Sequence, residues 1–251
     1  MLKKTALCLF ALLISGAILF ESLSARAVTF TPPAREAPKR TTGGGSRDYG
    51  KCLSSSNATE VAIAPLLPDT NLGLTVAERP TVFVYVGKTA AKEAFFSIQD
   101  EQENHHYQTT IKLPERASAI GIQLPNEAPP LQVGKNYKWS LVLICGQQLE
   151  PDHPKATGWI HRVESYASRA QYESTVSLKS VLKLADAGLW YDTLSRLAQL
   201  RQAQPKNPHL AAHWEELLTS VGLDEMATEP IVMIEDVGQK FSHQVKTYRA
   251  L

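Results

Sequence analysis

Lysine and arginine form no dense cluster in this sequence, and neither sign of charge predominates. The chain has 26 basic and 25 acidic residues, which gives a formal net charge of +1 at pH 7. Because nucleic-acid affinity comes mainly from neutralising phosphates, this charge pattern argues against a nucleic-acid partner. The same reasoning disfavours docking on acidic membrane surfaces.

Long hydrophobic runs are also scarce, and residues 5–20 form the only uncharged stretch long enough to suggest an export signal. Two lysines precede it, and Ala25-Arg26-Ala27 places small residues where a signal peptidase requires them. We expect a signal peptide over residues 1–27, cleaved between Ala27 and Val28. An uncleaved signal anchor is the alternative, but a spanning helix needs about 20 apolar residues. The mature protein is therefore expected in the periplasm or outside the cell, with no membrane span.

Cysteine is rare, with three residues in the whole chain. Cys8 would leave with the signal peptide, so that Cys52 and Cys145 remain. An even number of cysteines in an oxidising compartment predicts one disulfide. Two unpaired buried thiols are the alternative. Two cysteines alone do not make a structural zinc site.

Residues 28–60 are rich in proline, glycine and serine and are interpreted as a flexible leader. The glycines at positions 43–45 suggest a phosphate-binding loop, but the strand, the helix and the Lys-Ser/Thr pair that such a loop needs are missing. Residues 57–59 match a glycosylation pattern that matters only in a eukaryotic secretory route.

Short β-branched and aromatic runs follow, separated by turn residues. Such spacing predicts an α+β protein, mainly β, whose residues 61–165 form an antiparallel sandwich of the immunoglobulin or fibronectin-III kind. The strand candidates are Thr81 to Val86, Ala94 to Gln99, Tyr107 to Leu113, Ala119 to Leu124, Tyr137 to Cys145 and Gly158 to Glu164.

Tyr137 stands at the start of a predicted strand, six residues after Leu131. In sandwich domains a tyrosine at such a place bonds back to the backbone upstream and fixes the corner. On this interpretation one face of the strand carries Tyr137, Trp139, Leu141, Leu143 and Cys145. The spacing of the cysteines does not match the antibody pattern.

From about residue 174 the apolar period becomes helical and predicts three helices within residues 166–229. Asn207-Pro208 is typical of a helix start. Ala187 to Tyr191, with Pro205, resembles a single tetratricopeptide unit, which must pack on the sandwich because it cannot bury its own face. Residues 230–251 are interpreted as a tail with one possible strand, Ile231 to Ile234.

No catalytic constellation is recognisable. A glycine-flanked nucleophilic serine of the Gly-x-Ser-x-Gly type is absent. Asp100, Glu101 and Glu103 could suggest glycosidase chemistry, but they fall between two strands, where a solvated hairpin tip is expected. We assign no catalytic, cofactor-binding or metal-binding residue.

Two sets of histidines are candidate metal ligands. His105 and His106 are adjacent, so on a strand they face opposite sides. His209, His213 and Glu216 could share one helical face, as in zinc peptidases, but the water-activating glutamate is replaced by leucine. The alternative places these three side chains in solvent while the leucines and the tryptophan of this helix face the core.

The large aromatic residues could line a sugar-binding shelf, but core packing between sandwich and helices is favoured by their predicted faces. These residues are Trp139, Trp159, Trp190, Tyr191 and Trp214.

Several segments together resemble a family of secreted cyanobacterial proteins, the domain-of-unknown-function family 928 (DUF928). The resemblance covers most of residues 43–230 and implies a host type and an envelope setting, without an activity or a site. The segments are 43–47, 64–68, 73–80, 84–85, 137–139, 143–145, 158–160, 162–164, 188–192, 197–201, 214 and 220–223.

The expected function is a non-enzymatic binding module of the bacterial cell envelope that takes a protein or peptide partner. The alternatives are an envelope hydrolase, metal-assisted through the His209/His213 face, and an adhesin-like structural component. The identity of the partner and the oligomeric state do not follow from the sequence.

Overall fold

A computed structural model describes residues 26–35, 37–38, 52, 61–150, 152–164 and 176–234. The hydrophobic run at residues 5–20, the glycine-rich loop and the glycosylation pattern lie outside these described residues, as does most of the predicted tail.

The strands of the described chain form two sheets. The first sheet has the order β1-β3-β6-β9 and the second has the order β2-β8-β7-β4-β5. In chain order the strands are β1 (Ile63–Pro65), β2 (Leu72–Thr75), β3 (Thr81–Val86), β4 (Glu93–Asp100), β5 (His105–Lys112), β6 (Ser118–Gln123), β7 (Asn136–Ile144), β8 (Lys155–Arg162) and β9 (Ile231–Ile234).

All six strand candidates are confirmed, with ends that differ by at most three residues. The strand β3 lies between β1 and β6 and is buried on both faces, as its uninterrupted apolar sequence predicts. The candidate Ile231–Ile234 is also a strand, so this part of the predicted tail belongs to the first sheet.

The expectation of a purely antiparallel arrangement is wrong. Strand β2 pairs with β8 in parallel, and β6 pairs with β9 in parallel. A parallel pair requires a crossover of a dozen or more residues, and both pairs join strands that are far apart in the chain. Hairpins can be predicted from strands that are neighbours in the sequence. The pairing of strands that are far apart in the chain cannot be predicted in this way.

Strand β7 has the alternating burial that its sequence predicts. Tyr137, Trp139, Leu141 and Leu143 are buried, and the residues between them are half-buried. The Tyr137 hydroxyl accepts a hydrogen bond from the backbone N–H of Gln132 at 3.1 Å. The predicted contact between this tyrosine and the upstream backbone is therefore confirmed.

Replacing Tyr137 with phenylalanine is expected to lower the free energy of unfolding by about 1 to 2 kcal/mol, because the Gln132 N–H loses its acceptor in a partly buried place. Urea denaturation would measure the change. Gln132→Ala is the control, since it keeps the backbone N–H and should leave stability nearly unaltered. Equal effects of the two variants would contradict the role of the hydroxyl.

Three helices follow the sheets: α1 (Leu178–Asp186), α2 (Trp190–Ala203) and α3 (Pro208–Thr219), and a short 3₁₀ helix (Asp224–Met226) precedes β9. The side chain of Asn207 accepts a hydrogen bond from the backbone N–H of His209, and Pro208 occupies the first helical position. The predicted start of this helix is confirmed.

The helices pack on the sheets through aromatic side chains. The indole N–H of Trp190 donates to the carbonyl of Leu66 at 2.8 Å, and the Trp214 and Phe83 rings meet edge to face at 5.9 Å. All five large aromatics are buried: Trp139, Trp190 and Trp214 have no exposed surface, and Trp159 and Tyr191 are each 1% exposed. Core packing, rather than a sugar-binding shelf, is confirmed as their role.

Cys52 and Cys145 form a disulfide, with Cα atoms 5.0 Å apart. The Cys52 carbonyl also accepts hydrogen bonds from the Thr89 hydroxyl and the Ala90 N–H, at 2.7 and 2.8 Å. Thr89 and Ala90 follow β3 of the first sheet, and Cys145 follows β7 of the second. The disulfide therefore links the two sheets through residue 52.

None of the described helices is both long enough and apolar enough to cross a membrane.

Candidate functional site

One concave surface of the described chain is a groove of about 380 Å³ between β3 and the 3₁₀ helix. We call it the β3 groove. It is lined by Val61, Tyr85, Lys88, Ala117, Glu225, Met226 and Glu229.

The floor and the rim of the β3 groove differ in chemistry. Val61 is 38% exposed and is one of two large hydrophobic residues on the described surface with such exposure. Tyr85 is half-buried and Met226 is buried, and both also line the groove. Their apolar surface can take an apolar side chain, and a volume of this size lies within the range of ligand sites.

Charged side chains surround that apolar floor. Lys88 and Glu225 are exposed and Glu229 is half-buried, so the lining carries two carboxylates and one ammonium. The rim is therefore net negative and favours a basic group on whatever occupies the groove.

A second, smaller cavity of about 160 Å³ lies between β3 and α2. Its polar wall includes Asp192, which is 3% exposed and accepts a hydrogen bond from the Val76 N–H at 3.1 Å. Arg79 also lines it and donates to the Ala128 carbonyl at 2.9 Å. Asp192 holds the loop after β2 against α2, and Arg79 ties the same loop to the segment between β6 and β7. The space is too small for a peptide side chain with its backbone.

A chain of polar side chains crosses the second sheet at the start of β7. Arg35 donates to Nε2 of His161 at 2.9 Å, because a guanidinium has no acceptor. The other ring nitrogen, Nδ1, therefore carries the proton and donates to the Asn136 side chain at 2.6 Å. Asn136 in turn donates to the Glu101 carboxylate. Both nitrogens of His161 are thus engaged within the protein.

Burial lowers the pKa of His161, and the charge of Arg35 lowers it further, whereas Glu101 raises it. A neutral imidazole is what the hydrogen-bond directions require. Because neither ring nitrogen faces a free space, this histidine positions its neighbours and has no lone pair left for a substrate.

The acidic cluster after β4 shapes a turn, as the sequence predicts. Asp100 accepts hydrogen bonds from the Gln102 and Asn104 backbone N–H groups at 2.9 and 2.8 Å. The Asn104 side chain adds a further bond, and these contacts lower the pKa of Asp100. The carboxylate stabilises the hairpin tip between β4 and β5.

The histidines of α3 lie differently from the sequence expectation. His209 is exposed, but His213 is 4% exposed rather than solvated, and its Nδ1 lies 2.9 Å from Glu216. The sequence predicts an apolar face on α3 that does not include His213. In the structure residues 28–30 cover the side of the helix on which His213 lies, so the buried face is wider.

Within the described residues, one group of three side chains has potential metal-ligand atoms within 4.8 Å of one another: Glu150, Asp152 and His153. The His209/His213 face does not bring such a set together. His153 accepts a hydrogen bond from the Glu150 N–H at 3.3 Å, so its Nδ1 already serves the turn before β8.

Sequence reasoning did not identify the β3 groove. Tyr85 was interpreted as part of a buried strand, and no motif pointed to Lys88, Glu225 or Glu229. Lys88 and Glu225 are 137 positions apart, so no spacing rule relates the two sides of the groove.

The residues that the structure describes form an α+β protein, mainly β, with two sheets, three α-helices and an open, partly apolar groove. The chain belongs to the family described as Domain of Unknown Function (DUF928), whose model matches residues 42–231. All residues of the β3 groove lie within the matched range. No curated protein matches the chain.

Proposed function

We propose that this protein is an exported, non-enzymatic binding module of the bacterial, specifically cyanobacterial, cell envelope. In this proposal its sheets form a sandwich of the immunoglobulin or fibronectin-III kind and its helices a tetratricopeptide-like hairpin. The observation that carries the proposal is the β3 groove, with its exposed Val61 beside Tyr85.

The chemistry of the groove defines the partner. An extended peptide segment of another envelope protein, with one apolar side chain next to a basic one, complements the floor and the net negative rim. The apolar side chain supplies most of the affinity, and the pairing with Glu225 and Glu229 supplies orientation.

The other polar groups of the described chain support binding over catalysis. His161 uses both ring nitrogens, Asp100 its carboxylate and His213 its Nδ1 on neighbouring protein groups. The Cys52–Cys145 disulfide suits an oxidising compartment, as expected of an exported protein.

Site-specific photocrosslinking tests the proposal. A photoreactive phenylalanine analogue at Val61, in the protein expressed in its native host, should yield an adduct with one reproducible envelope protein. The matched control carries the same analogue at Val133, which is 49% exposed and lies outside the groove. We expect no adduct there.

Reversing the charge of the two groove carboxylates provides a second test. Glu225→Lys with Glu229→Lys should weaken the adduct roughly fivefold, since both rim carboxylates are replaced by like charges. Asp69→Lys with Glu215→Lys changes the net charge equally outside the groove and should leave the adduct unaltered. Equal adducts at Val61 and Val133 would refute the groove as the binding surface, and a self-adduct would favour the adhesin-like alternative.

A further inference from the structure

Residues 28–35 cross the protein from α3 to β8, and we call them the N-terminal strap. Val28 is fully buried and Phe30 is 4% exposed, whereas Ala27 and Thr29 are exposed. This alternation is typical of an extended segment with one face against a core. Within the predicted flexible leader, Val28 and Phe30 are thus packed against the folded body.

Specific contacts hold the N-terminal strap at both ends. The Phe30 ring meets the Trp190 ring edge to face at 4.7 Å, and the Phe30 N–H donates to the Ser220 hydroxyl at 3.0 Å. At the other end Arg35 donates to His161 of β8. The strap therefore connects the helices to the second sheet.

The nitrogen of Val28 faces a carboxylate. It lies 3.2 Å from Oε2 of Glu216, and the same oxygen lies 2.9 Å from Nδ1 of His213. The side chain of Glu216 is 40% exposed, and that of His213 is 5% exposed. A partly screened carboxylate is thus aimed at the nitrogen that follows the predicted cleavage site.

We propose that Glu216 is the binding site for the α-amino group of the mature protein. A signal peptidase hydrolyses the bond between Ala27 and Val28 with one water: Ala27 leaves with a carboxylate, and the Val28 nitrogen takes up protons to become an ammonium group. This ammonium then pairs with Glu216. The inference rests on the export included in the proposed function, but not on the β3 groove.

Processing exchanges one ion pair for another. In the unprocessed chain Arg26 pairs with Asp186 at 2.7 Å, with both side chains more than half exposed. Exposed pairs contribute little to stability, whereas charged hydrogen bonds in partly buried places contribute more. The exchange therefore favours the strap of the mature chain, whose ammonium pairs with the half-buried Glu216.

A double-mutant cycle tests the proposal on purified protein. One chain begins at Val28, and the other keeps two preceding residues, with Arg26→Ala to remove the pair with Asp186. Each is made with and without Glu216→Gln, and urea denaturation at pH 7 gives the unfolding equilibrium constants. Glu216→Gln should raise this constant roughly fivefold more in the chain that begins at Val28.

Ser220→Ala is the matched control, because it removes a contact of the strap that does not depend on the α-amino charge. Its effect should be the same in both chains. Equal effects of Glu216→Gln in the two chains would overturn the proposal, as would a mature protein whose sequenced first residue is not Val28. Either result leaves the groove experiment unaffected, so failure of the two proposals can be told apart.

Discussion

Replacing Cys52 and Cys145 together with alanine is expected to lower the free energy of unfolding by about 4 to 5 kcal/mol. The two cysteines are 93 positions apart, so their bond closes a long loop and removes much of the conformational freedom of the unfolded chain. The bond also ties Cys145, directly after β7, to residue 52, whose carbonyl is hydrogen-bonded to Thr89 and Ala90 after β3. Urea denaturation of the oxidised protein and the double variant would measure the loss.

The control for this prediction is the same comparison in the presence of a thiol reductant. Reduction should bring the oxidised protein close to the double variant, whose own midpoint should not move. A double variant as stable as the oxidised protein would show that the hydrogen bonds of Cys52 with Thr89 and Ala90 suffice to hold this segment.

Replacing Tyr191 with phenylalanine is expected to lower the free energy of unfolding by about 2 to 4 kcal/mol. The hydroxyl accepts from the Trp139 indole N–H at 2.8 Å and donates to the Trp159 carbonyl at 3.0 Å, entirely within the core. Burial raises the pKa of Tyr191, so the hydroxyl keeps its proton and serves both partners. Its removal leaves a buried indole N–H without an acceptor.

Tyr107→Phe is the matched control for this second prediction. Tyr107 is half-buried on the edge strand β5, and the loss of its hydroxyl should change stability by less than about 0.5 kcal/mol. Trp139→Phe removes the donor of the same hydrogen bond, so its effect should be non-additive with that of Tyr191→Phe. An additive pair, or a Tyr191→Phe variant as stable as Tyr107→Phe, would contradict this account.

Local periodicity was sufficient to find most strands and all three helices. The alternation along β7 and the Asn207-Pro208 helix start are properties of residues next to one another in the chain. Strand β2 was missed because it has only four residues, one of them Gly73, and its partner β8 begins about 80 positions later.

The candidate site could not be read from the sequence in the same way. Tyr85 and Lys88 line the same groove as Glu225 and Glu229 because β9 pairs with β6 in the first sheet. The 3₁₀ helix directly precedes β9 and is therefore placed near β3. The burial of His213 likewise depends on the N-terminal strap, which lies about 185 positions away in the chain.

The sequence by itself determined the charge balance, the periods of the strands and helices, the corner at Tyr137 and a single candidate pair of cysteines. Those features follow from backbone geometry that repeats every two or 3.6 residues, or from plain counts. Only the tertiary structure decided which distant polar groups face one another: Val28 and Glu216, Arg35 and His161, or the two sides of the β3 groove. These contacts form because they lower the free energy of the packed chain as a whole, and no short stretch of residues encodes them.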